Sequence, residues 1–337
     1  MDRAQEIKEK ALELGFSKCG IINVDAVKGF KERLDARTSQ FPQSALMYYQ
    51  FAYFSDVKSK MPWCESLVVC VFDYWKYNVP EGIEGRIGKA YAFDGRKDER
   101  SDAYKAKEKL IEHMKKMGIR AECGGEHGIT SFRYAAEKAG LGKLRKNNFF
   151  YTENGSWNAI DVIAINKKLE LKEKNNVKDC PDGCSKCAAA CPTGALKGPY
   201  SMHPMRCVSF VTSIGGGMFP LTEDIGNWVY GCDACQDACP FDQRDFGGKD
   251  FPGLKELSEN LTLEKIIDWS DEYYEKVVQP KFWYLGPDKL WVWKLNALNA
   301  MKNGYREKYK PFIKKCLDDK NDRVSGMAQW ICETLKL

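Results

Sequence analysis

Two short cysteine motifs constrain this chain more than any other feature of its sequence. Eight of its 14 cysteines lie between positions 180 and 239, in the order Cys180-x3-Cys184-x2-Cys187-x3-Cys191-Pro192, Cys207, and Cys232-x2-Cys235-x3-Cys239-Pro240. Three closely spaced thiolates on one loop can bind three irons of one cubane cluster. Zinc is the alternative, but zinc knuckles use two pairs of cysteines and need no Cys-Pro after them. The spacing therefore predicts two 4Fe–4S clusters and a role in electron transfer.

The order of the cysteines also predicts which of them share a cluster. In two-cluster ferredoxins the cysteine before the proline ligates the other cluster, so the two motifs interlock. We assign the first cluster, called cluster 1 here, to Cys180, Cys184, Cys187 and Cys239. The second, cluster 2, is assigned to Cys191, Cys207, Cys232 and Cys235. Electrons could then pass from one cluster to the other inside one module.

The rest of the composition is that of an ordinary globular chain. Apolar residues make up 44% of the 337 residues and charged residues 29%, as in typical soluble domains. The longest apolar run, residues 67–72, is far shorter than the roughly 20 residues that cross a bilayer. The first residues show neither an apolar signal core nor a twin-arginine pair, so we expect a cytoplasmic protein that contacts no membrane. A net charge of +5 permits nucleic-acid binding without requiring it.

Hydrophobic periodicity divides the chain into three regions. Residues 1–170 alternate helices with strands, including a buried strand at 67–72 and a helix capped by Ser101, and this predicts an α/β domain. Residues 171–250 carry the cysteines as a ferredoxin-like module. Residues 251–337 predict helices only, which resemble a HEAT-type repeat or form an ordinary helical tail.

The N-terminal region lacks the motifs of common phosphate- and metal-dependent enzymes. It contains no P-loop, no Gly-x-Gly-x-x-Gly after a strand and no His-Glu-x-x-His, and the whole chain has only three histidines. Because about 170 residues precede the module, we expect this region to consume or deliver the electrons. The chemistry indicated is that of a bound organic or organometallic cofactor.

Longer sequence strings around the cysteines carry more information than the spacing alone. The strings in the module are Cys184-Ser185-Lys186-Cys187-Ala188-Ala189-Ala190-Cys191-Pro192-Thr193-Gly194-Ala195, Cys207-Val208-Ser209-Phe210-Val211-Thr212, and Tyr230-Gly231-Cys232-Asp233-Ala234-Cys235-Gln236-Asp237-Ala238-Cys239-Pro240. Upstream strings are Ala139-Gly140-Leu141-Gly142, Lys146-Asn147 and Gly155-Ser156-Trp157. Together, in this order over most of the chain, they resemble the epoxyqueuosine reductase family, the upstream strings being similar to its cobalamin-domain signature.

The resemblance implies an α/β corrinoid-binding domain with a cobalamin that faces one cluster. In such an enzyme Co(I) would act on an epoxide carbon of a tRNA nucleoside, and an acid would protonate the departing oxygen. Loss of water would leave an alkene, and two electrons would arrive singly from ferredoxin or flavodoxin. A tRNA anticodon stem-loop would then be the partner. A basic stripe between Lys302 and Lys315 could contact its phosphates, or be a plain solvated face.

The resemblance also implies roles for particular residues. The family's catalytic aspartate lies thirteen positions before Ala139, where this chain has Glu126, and His127 is the alternative acid. The protein would have to raise the pKa of Glu126 for it to donate a proton. The residues implied to bind the cobalamin are Arg133, Lys146, Asn147, Gly155, Ser156 and Trp157. The alternatives are a solvated carboxylate for Glu126, surface roles for Arg133, Lys146 and Asn147, and a hairpin turn for the glycine motif.

Some positions depart from the family's pattern. The family's Gly-Trp-Ile-Gly-Lys-Asn reads Gly142-Lys143-Leu144-Arg145-Lys146-Asn147 here, and its Cys-Pro-Trp-Asn reads Cys239-Pro240-Phe241-Asp242. These departures leave two other functions open. One is a cobalamin-dependent reductase of another small molecule, with reductive-dehalogenase-like chemistry. The other is an electron-transfer protein that serves a partner enzyme and binds no corrinoid.

Overall fold

The N-terminal region folds around a four-stranded sheet. The computed structural model describes residues 2–125, 127–216 and 225–337. Its strands are β1 (Lys18–Asn23), β2 (Ser66–Asp73), β3 (Ala121–Cys123), β4 (Lys143–Leu144), β5 (Phe150–Tyr151), β6 (Asn158–Ile165), β7 (Leu196–Gly198) and β8 (Ser201–Met202). The sheet has the order β1-β2-β6-β3, and each neighbouring pair is antiparallel.

Strand β2 is the centre of this sheet and is buried along its whole length. Its side chains alternate between two hydrophobic clusters, since Val68 and Cys70 belong to one and Val69 and Val71 to the other. Alternation of this kind means that both faces of the sheet are covered. The helices of this region are α1 (Arg3–Glu13), α2 (Phe30–Gln40), α3 (Ala45–Tyr49), α4 (Lys89–Ala92), α5 (Asp102–Lys116) and α6 (Phe132–Lys138). Helices α1 and α5 cover one face and α6 the other.

The predicted mixed α/β character of this region is confirmed. Ser101 caps α5 by accepting a hydrogen bond from the Tyr104 backbone N–H (3.2 Å), and Gly118 follows the helix with a left-handed φ of 71°. The antiparallel direction of the strands could not be inferred, because hydrophobic periodicity predicts elements and not the direction in which they pair.

The cysteine-bearing region consists of short elements. Strands β4 and β5 pair with each other in the N-terminal region, and within the cysteine-bearing region β7 pairs with β8. Its helices are α7 (Lys186–Ala189), α8 (Val208–Thr212) and α9 (Ala234–Asp237). Helix α7 contains Cys187 and α9 contains Cys235, and the two helices pack together. The two cysteine motifs are therefore neighbours in space.

The C-terminal region is helical, as predicted, and supports the cysteine-bearing region. It comprises α10 (Leu254–Ser258), α11 (Leu263–Asp268), α12 (Asp271–Tyr273), a π-helical turn (Tyr274–Val278), α13 (Leu290–Asn303), α14 (Lys310–Lys315) and α15 (Asp322–Leu335). Helix α13 is the centre and belongs to the same hydrophobic cluster as α1 and α5. Its Trp293 stacks on Tyr230 at 4.8 Å, and its Asn296 donates to the Val229 carbonyl (2.8 Å). These contacts hold the backbone just before Cys232.

Acidic partners neutralise much of the basic stripe on this helical region. Lys308 pairs with Glu264 and Lys315 with Asp268, each at 2.7 Å. These pairs favour the solvated-face interpretation over an RNA contact. Within the part of the chain that the structure describes, no helix is long and apolar enough to cross a membrane.

Lys281 is a partly buried cation whose ammonium group is largely desolvated. Its Nζ donates to the Asp94 carbonyl (3.0 Å) and lies 3.8 Å from the centroid of the Phe251 ring. Burial lowers the pKa of Lys281 from 10.5 to about 8. A lowered lysine pKa means that the folded chain binds this proton less tightly than the unfolded chain does. The contribution of Lys281 to the free energy of unfolding is therefore least favourable below about pH 8, and it becomes less unfavourable as the pH approaches 10.5.

We expect Lys281→Met to stabilise the protein at pH 7. Removing the buried charge should raise the free energy of unfolding by about 2 kcal/mol, after allowing for the lost hydrogen bond to Asp94. Anaerobic thermal unfolding at pH 7 and at about pH 10 measures the effect, which should shrink at the higher pH. Lys276→Met, at an exposed lysine nearby, is the matched control. An equal gain in the free energy of unfolding at both pH values would contradict the lowered pKa assigned to Lys281.

Candidate active site

The four cysteines predicted to hold cluster 1 line one small pocket. Cys180, Cys184 and Cys187 come from the first motif and Cys239 from the second. The structure thus brings together the set that the interlocked spacing predicts. Four sulfur ligands around one pocket suit an iron–sulfur cubane.

The other four cysteines line one wall of a much larger cavity. Cys191, Cys207, Cys232 and Cys235 all face this cavity, which measures about 590 Å³. Burial and the charges of the neighbouring thiols raise the pKa of Cys232 and Cys235. Raised pKa values favour the neutral thiols, and bound iron would favour the thiolates that ligate a 4Fe–4S cluster. Of the two predicted clusters, cluster 2 is therefore the one that faces the cavity.

The remaining walls of this cavity, called the main cavity here, carry many aromatic side chains. They include Tyr48, Phe51, Tyr74, Tyr91, Phe132 and Phe150. A second cavity of about 720 Å³ adjoins it, and the two share Tyr48, Phe51, Arg133, Asn148 and Met202. Each has the volume of an ordinary ligand pocket. Together they offer room for a large organic cofactor beside a substrate.

Asn148 provides a specific test of whether a corrinoid fits this cavity. It has a left-handed backbone with φ of 63°, a conformation that asparagine adopts more readily than most side chains. Its carbonyl accepts a hydrogen bond from Arg133 and its Oδ1 one from Arg37 (3.3 Å). Its buried Nδ2 has no partner among the described residues. An unpartnered amide donor on an aromatic wall fits the carboxamide-bearing edge of a corrin ring.

The glycine motif fastens the cysteine-bearing region to the sheet. Ser156 donates its backbone N–H (2.5 Å) and its hydroxyl to the buried Asp242 carboxylate, and Gln236 donates to the same hydroxyl (2.7 Å). Trp157 donates its indole N–H to the Asp242 carbonyl (3.0 Å). Gly155 has a φ of 94°, and a Cβ there would come within 2.5 Å of the Asp242 carboxylate. Only Ser156 of the three also lines the main cavity.

Of the other residues predicted to bind cobalamin, Asn147 lines the main cavity and Lys146 does not. Lys146 lines the cluster 1 pocket, where its Nζ donates to the carbonyls of Pro181 and Cys184 (both 3.2 Å), and its contact with cobalamin stays a prediction. Asn147 lies between the two cysteine sets and donates to Tyr151 Oη (2.9 Å) and the Cys235 carbonyl (3.2 Å). Arg133 does line the main cavity. Glu126 lies outside the described residues.

A buried ion pair next to cluster 2 was not foreseen. Asp233 accepts a hydrogen bond from the Lys89 backbone N–H (2.9 Å) and pairs with its Nζ (3.3 Å). Burial raises the pKa of the Asp233 carboxyl to about 6, and Lys89 opposes this shift. The Lys89 ammonium also lies 4.6 Å from the Trp157 ring centroid. The sequence shows an aspartate between Cys232 and Cys235. It does not show that the partner of this aspartate is Lys89, which lies 144 residues away.

Gly155→Ala should weaken the attachment of the cysteine-bearing region. We expect a loss of about 3 kcal/mol in the free energy of unfolding, because backbone strain adds to the displacement of a buried, hydrogen-bonded carboxylate. Gly15→Ala is the matched control, since Gly15 has a φ of 102° and a Cβ there meets no described atom within 4 Å. Denaturant unfolding of both variants measures the difference. Equal losses in the free energy of unfolding of the two variants would show that the approach to Asp242 adds nothing to the effect of Gly155→Ala.

Comparisons with known proteins agree with this arrangement. Residues 179–242 match the family described as "4Fe-4S double cluster binding domain". The curated epoxyqueuosine reductase of Gloeobacter violaceus is 30% identical over 295 residues, which cover 81% of this chain and 88% of the relative. The solved epoxyqueuosine reductase of Bacillus subtilis, with its catalytic aspartate loop swung out of the active site, gives a TM-score of 0.72 at 25% identity, covering 97% of this chain and 88% of that chain.

One further solved structure bears on the substrate of these relatives. It is an epoxyqueuosine reductase with an epoxyqueuosine-modified tRNA-Tyr stem loop, which gives a TM-score of 0.70 at 24% identity and covers 97% of this chain and 88% of that chain. At this level of identity the likeness shows that the two chains share a fold.

A double-cluster module that borders a large aromatic cavity defines an iron–sulfur oxidoreductase. The chain belongs to the epoxyqueuosine reductase family, as the relative from Gloeobacter violaceus shows. The resemblance inferred from the sequence strings is thereby confirmed. The predicted cofactors, two 4Fe–4S clusters and cobalamin, are those that this family implies.

Proposed function

We propose that this chain reduces the epoxide of a tRNA-borne epoxyqueuosine to the alkene of queuosine. The observation that carries the proposal is that the cluster 2 cysteines line the same cavity as Arg133 and Asn148. An electron relay that ends beside a cavity large enough for a cofactor suits a reduction carried out in that cavity. The relatives carry the name of this reaction, and one of them was solved with the modified stem loop.

The proposed cobalamin site is the aromatic main cavity. Cobalamin, when bound, supplies a strongly reducing cobalt centre that acts on the epoxide. Asn148 Nδ2 and the Arg133 guanidinium would donate hydrogen bonds to its amides or phosphate. Tyr48 and Phe51 would exclude water from the reacting atoms. Ser156 keeps the cysteine-bearing wall in place through Asp242.

Glu126 is the proposed proton donor to the departing oxygen. The described residues that follow it are held beside the main cavity: the His127 ring lies 5.5 Å from Phe51, and Gly128 accepts a hydrogen bond from Tyr53 (3.1 Å). Phe51 itself lines the cavity. These contacts support the assignment of the acid by family resemblance. The epoxide takes up two electrons and two protons and yields the alkene and one water.

Electrons are proposed to enter at cluster 1 and leave through cluster 2. The cluster 1 pocket is bordered by the exposed side chains of Lys186 and Phe241, whereas cluster 2 borders the cavity. A one-electron donor such as ferredoxin or flavodoxin would dock on that outer face, in the cytoplasm. We assign residues 1–170 to a corrinoid-binding domain, 171–250 to a ferredoxin-like module and 251–337 to a HEAT-like region that supports it.

An anaerobic turnover assay tests the proposed function. The protein is reconstituted with iron, sulfide and cobalamin, reduced, and given an anticodon stem-loop that carries epoxyqueuosine. Mass spectrometry should show the loss of one oxygen atom and the appearance of queuosine. A protein with both clusters and a retained corrinoid that leaves the nucleoside unchanged would exclude this substrate and favour a small-molecule reductase. A protein that takes up iron and never retains a corrinoid would favour the electron-transfer alternative.

A further inference from the structure

Arg145 is a buried cation that borders the cluster 1 pocket. Its side chain is 3% exposed, and its Nη1 lies 3.9 Å from Cys180 Sγ, an atom that stands for an iron-bound thiolate in the loaded protein. The guanidinium also donates to the Lys178 carbonyl (2.6 Å) and lies 3.7 Å from the centroid of the Phe241 ring. Arg145 is therefore held against the pocket from three sides.

The charge of Arg145 is not balanced by an ion pair among the described residues, although the Asp179 carboxylate lies near enough to interact with it. Asp179, next to Cys180, pairs with Lys143 at 2.7 Å, and no ion pair to Arg145 is found within the described ranges. Its buried Nε has no hydrogen-bond partner among the same residues. A buried, unpaired charge is costly, and the anionic cluster with its four thiolates is the counter-charge that would offset this cost.

We propose that Arg145 raises the reduction potential of cluster 1 and so sets which electron donors can load it. Cluster 1 gains one electron from a low-potential iron–sulfur or flavin donor, which is oxidised by one electron, and the cluster then passes that electron to cluster 2. Reduction makes the cluster more negative by one charge. A fixed positive charge and a charge-assisted hydrogen bond at Cys180 stabilise the reduced form.

The arginine beside cluster 1 is a departure from the family pattern, and it lies near one of the two clusters. Arg145 and Phe241 occupy positions where the family pattern has glycine and tryptophan, and the two side chains stack on each other. Cluster 2 has different charged neighbours, since Arg133 lines the main cavity with its cysteines and Lys89 is paired with Asp233. Arg145 lines the cluster 1 pocket and not the main cavity. The charge therefore acts unequally on the two clusters and changes the difference between their potentials.

An anaerobic redox titration followed by EPR tests this inference. Arg145→Gly restores the family's residue, and Arg145→Gly with Phe241→Trp also refills the space that the stacked pair occupies. In both variants the equilibrium constant for reducing cluster 1 should fall at least about tenfold, which is about 59 mV for one electron, while cluster 2 moves less. Arg145→Lys should retain most of the wild-type potential because it keeps the charge. Arg120→Met, which removes an arginine from the Trp63 ring face, should change neither potential.

The inference rests on the proposed ligand set of cluster 1, and its failure can be distinguished from failure of that set. An unchanged cluster 1 potential in both glycine variants, with two clusters present, would overturn the role of Arg145 alone. A Cys187→Ala protein that retains both clusters would overturn the ligand set itself.

Discussion

Replacing Cys191 with serine should remove cluster 2 and leave cluster 1 intact, although Cys191 belongs to the first motif. The reason is geometric, since Cys191 lines the main cavity with Cys207, Cys232 and Cys235. Iron should fall from about eight to about four atoms per chain, and turnover should fall to that of the blank because the relay no longer reaches the cavity. Iron analysis and EPR of the reduced protein measure both changes.

A set of four serine variants makes this expectation decisive. Cys191→Ser and Cys235→Ser should lose one EPR signal, whereas Cys187→Ser and Cys239→Ser should lose the other. Cys332→Ser, in the helical region, is the control and should keep both signals. If Cys191→Ser and Cys187→Ser lost the same signal, the two motifs would each hold their own cluster and the interlocked arrangement would be wrong.

Glu126→Gln should reduce turnover at least about 100-fold, because the amide cannot donate a proton to the departing oxygen. The cluster signals and the corrinoid absorption should stay as in the wild type. Glu126→Asp should keep most of the activity, since the family's own acid is one methylene shorter. Queuosine formation under saturating stem-loop is the measurement.

His127, the alternative acid, provides the control for the Glu126→Gln prediction. His127→Ala should leave turnover nearly unchanged if Glu126 is the donor, because the His127 ring is edge-on to Phe51 and serves as a packing contact. Full activity in Glu126→Gln together with a large loss in His127→Ala would reverse the assignment.

The helices and strands of this fold could be predicted because short stretches of sequence indicate them. Strand β2 is a run of β-branched and apolar residues, and α5 has a capping serine and a terminal glycine. The contact between α13 and the backbone before Cys232 could not be predicted, because nothing near Asn296 in sequence indicates its partner at Val229. The choice between a HEAT-like repeat and a helical tail on the core is likewise a question of long-range packing.

The candidate site likewise has features that could be predicted from the sequence and features that could not. Both cysteine sets could be predicted, because ligand spacing within a motif and the proline after it reflect cluster geometry directly. The position of Lys146 could not, since its contacts with Pro181 and Cys184 lie more than thirty residues away. Asn148 was missed for a different reason. Its left-handed backbone and its unpartnered amide become visible only in three dimensions.

The central claim is that electrons held on the two clusters are consumed in reducing the nucleoside, and one measurement tests it directly. Protein loaded with both clusters and cobalamin is reduced, freed of excess reductant, and mixed anaerobically with the epoxyqueuosine stem-loop. The EPR signals of the reduced clusters should disappear as queuosine forms, with one queuosine for every two electrons lost. Clusters that stay reduced in the presence of the stem-loop, or that lose their electrons without forming queuosine, would contradict the account.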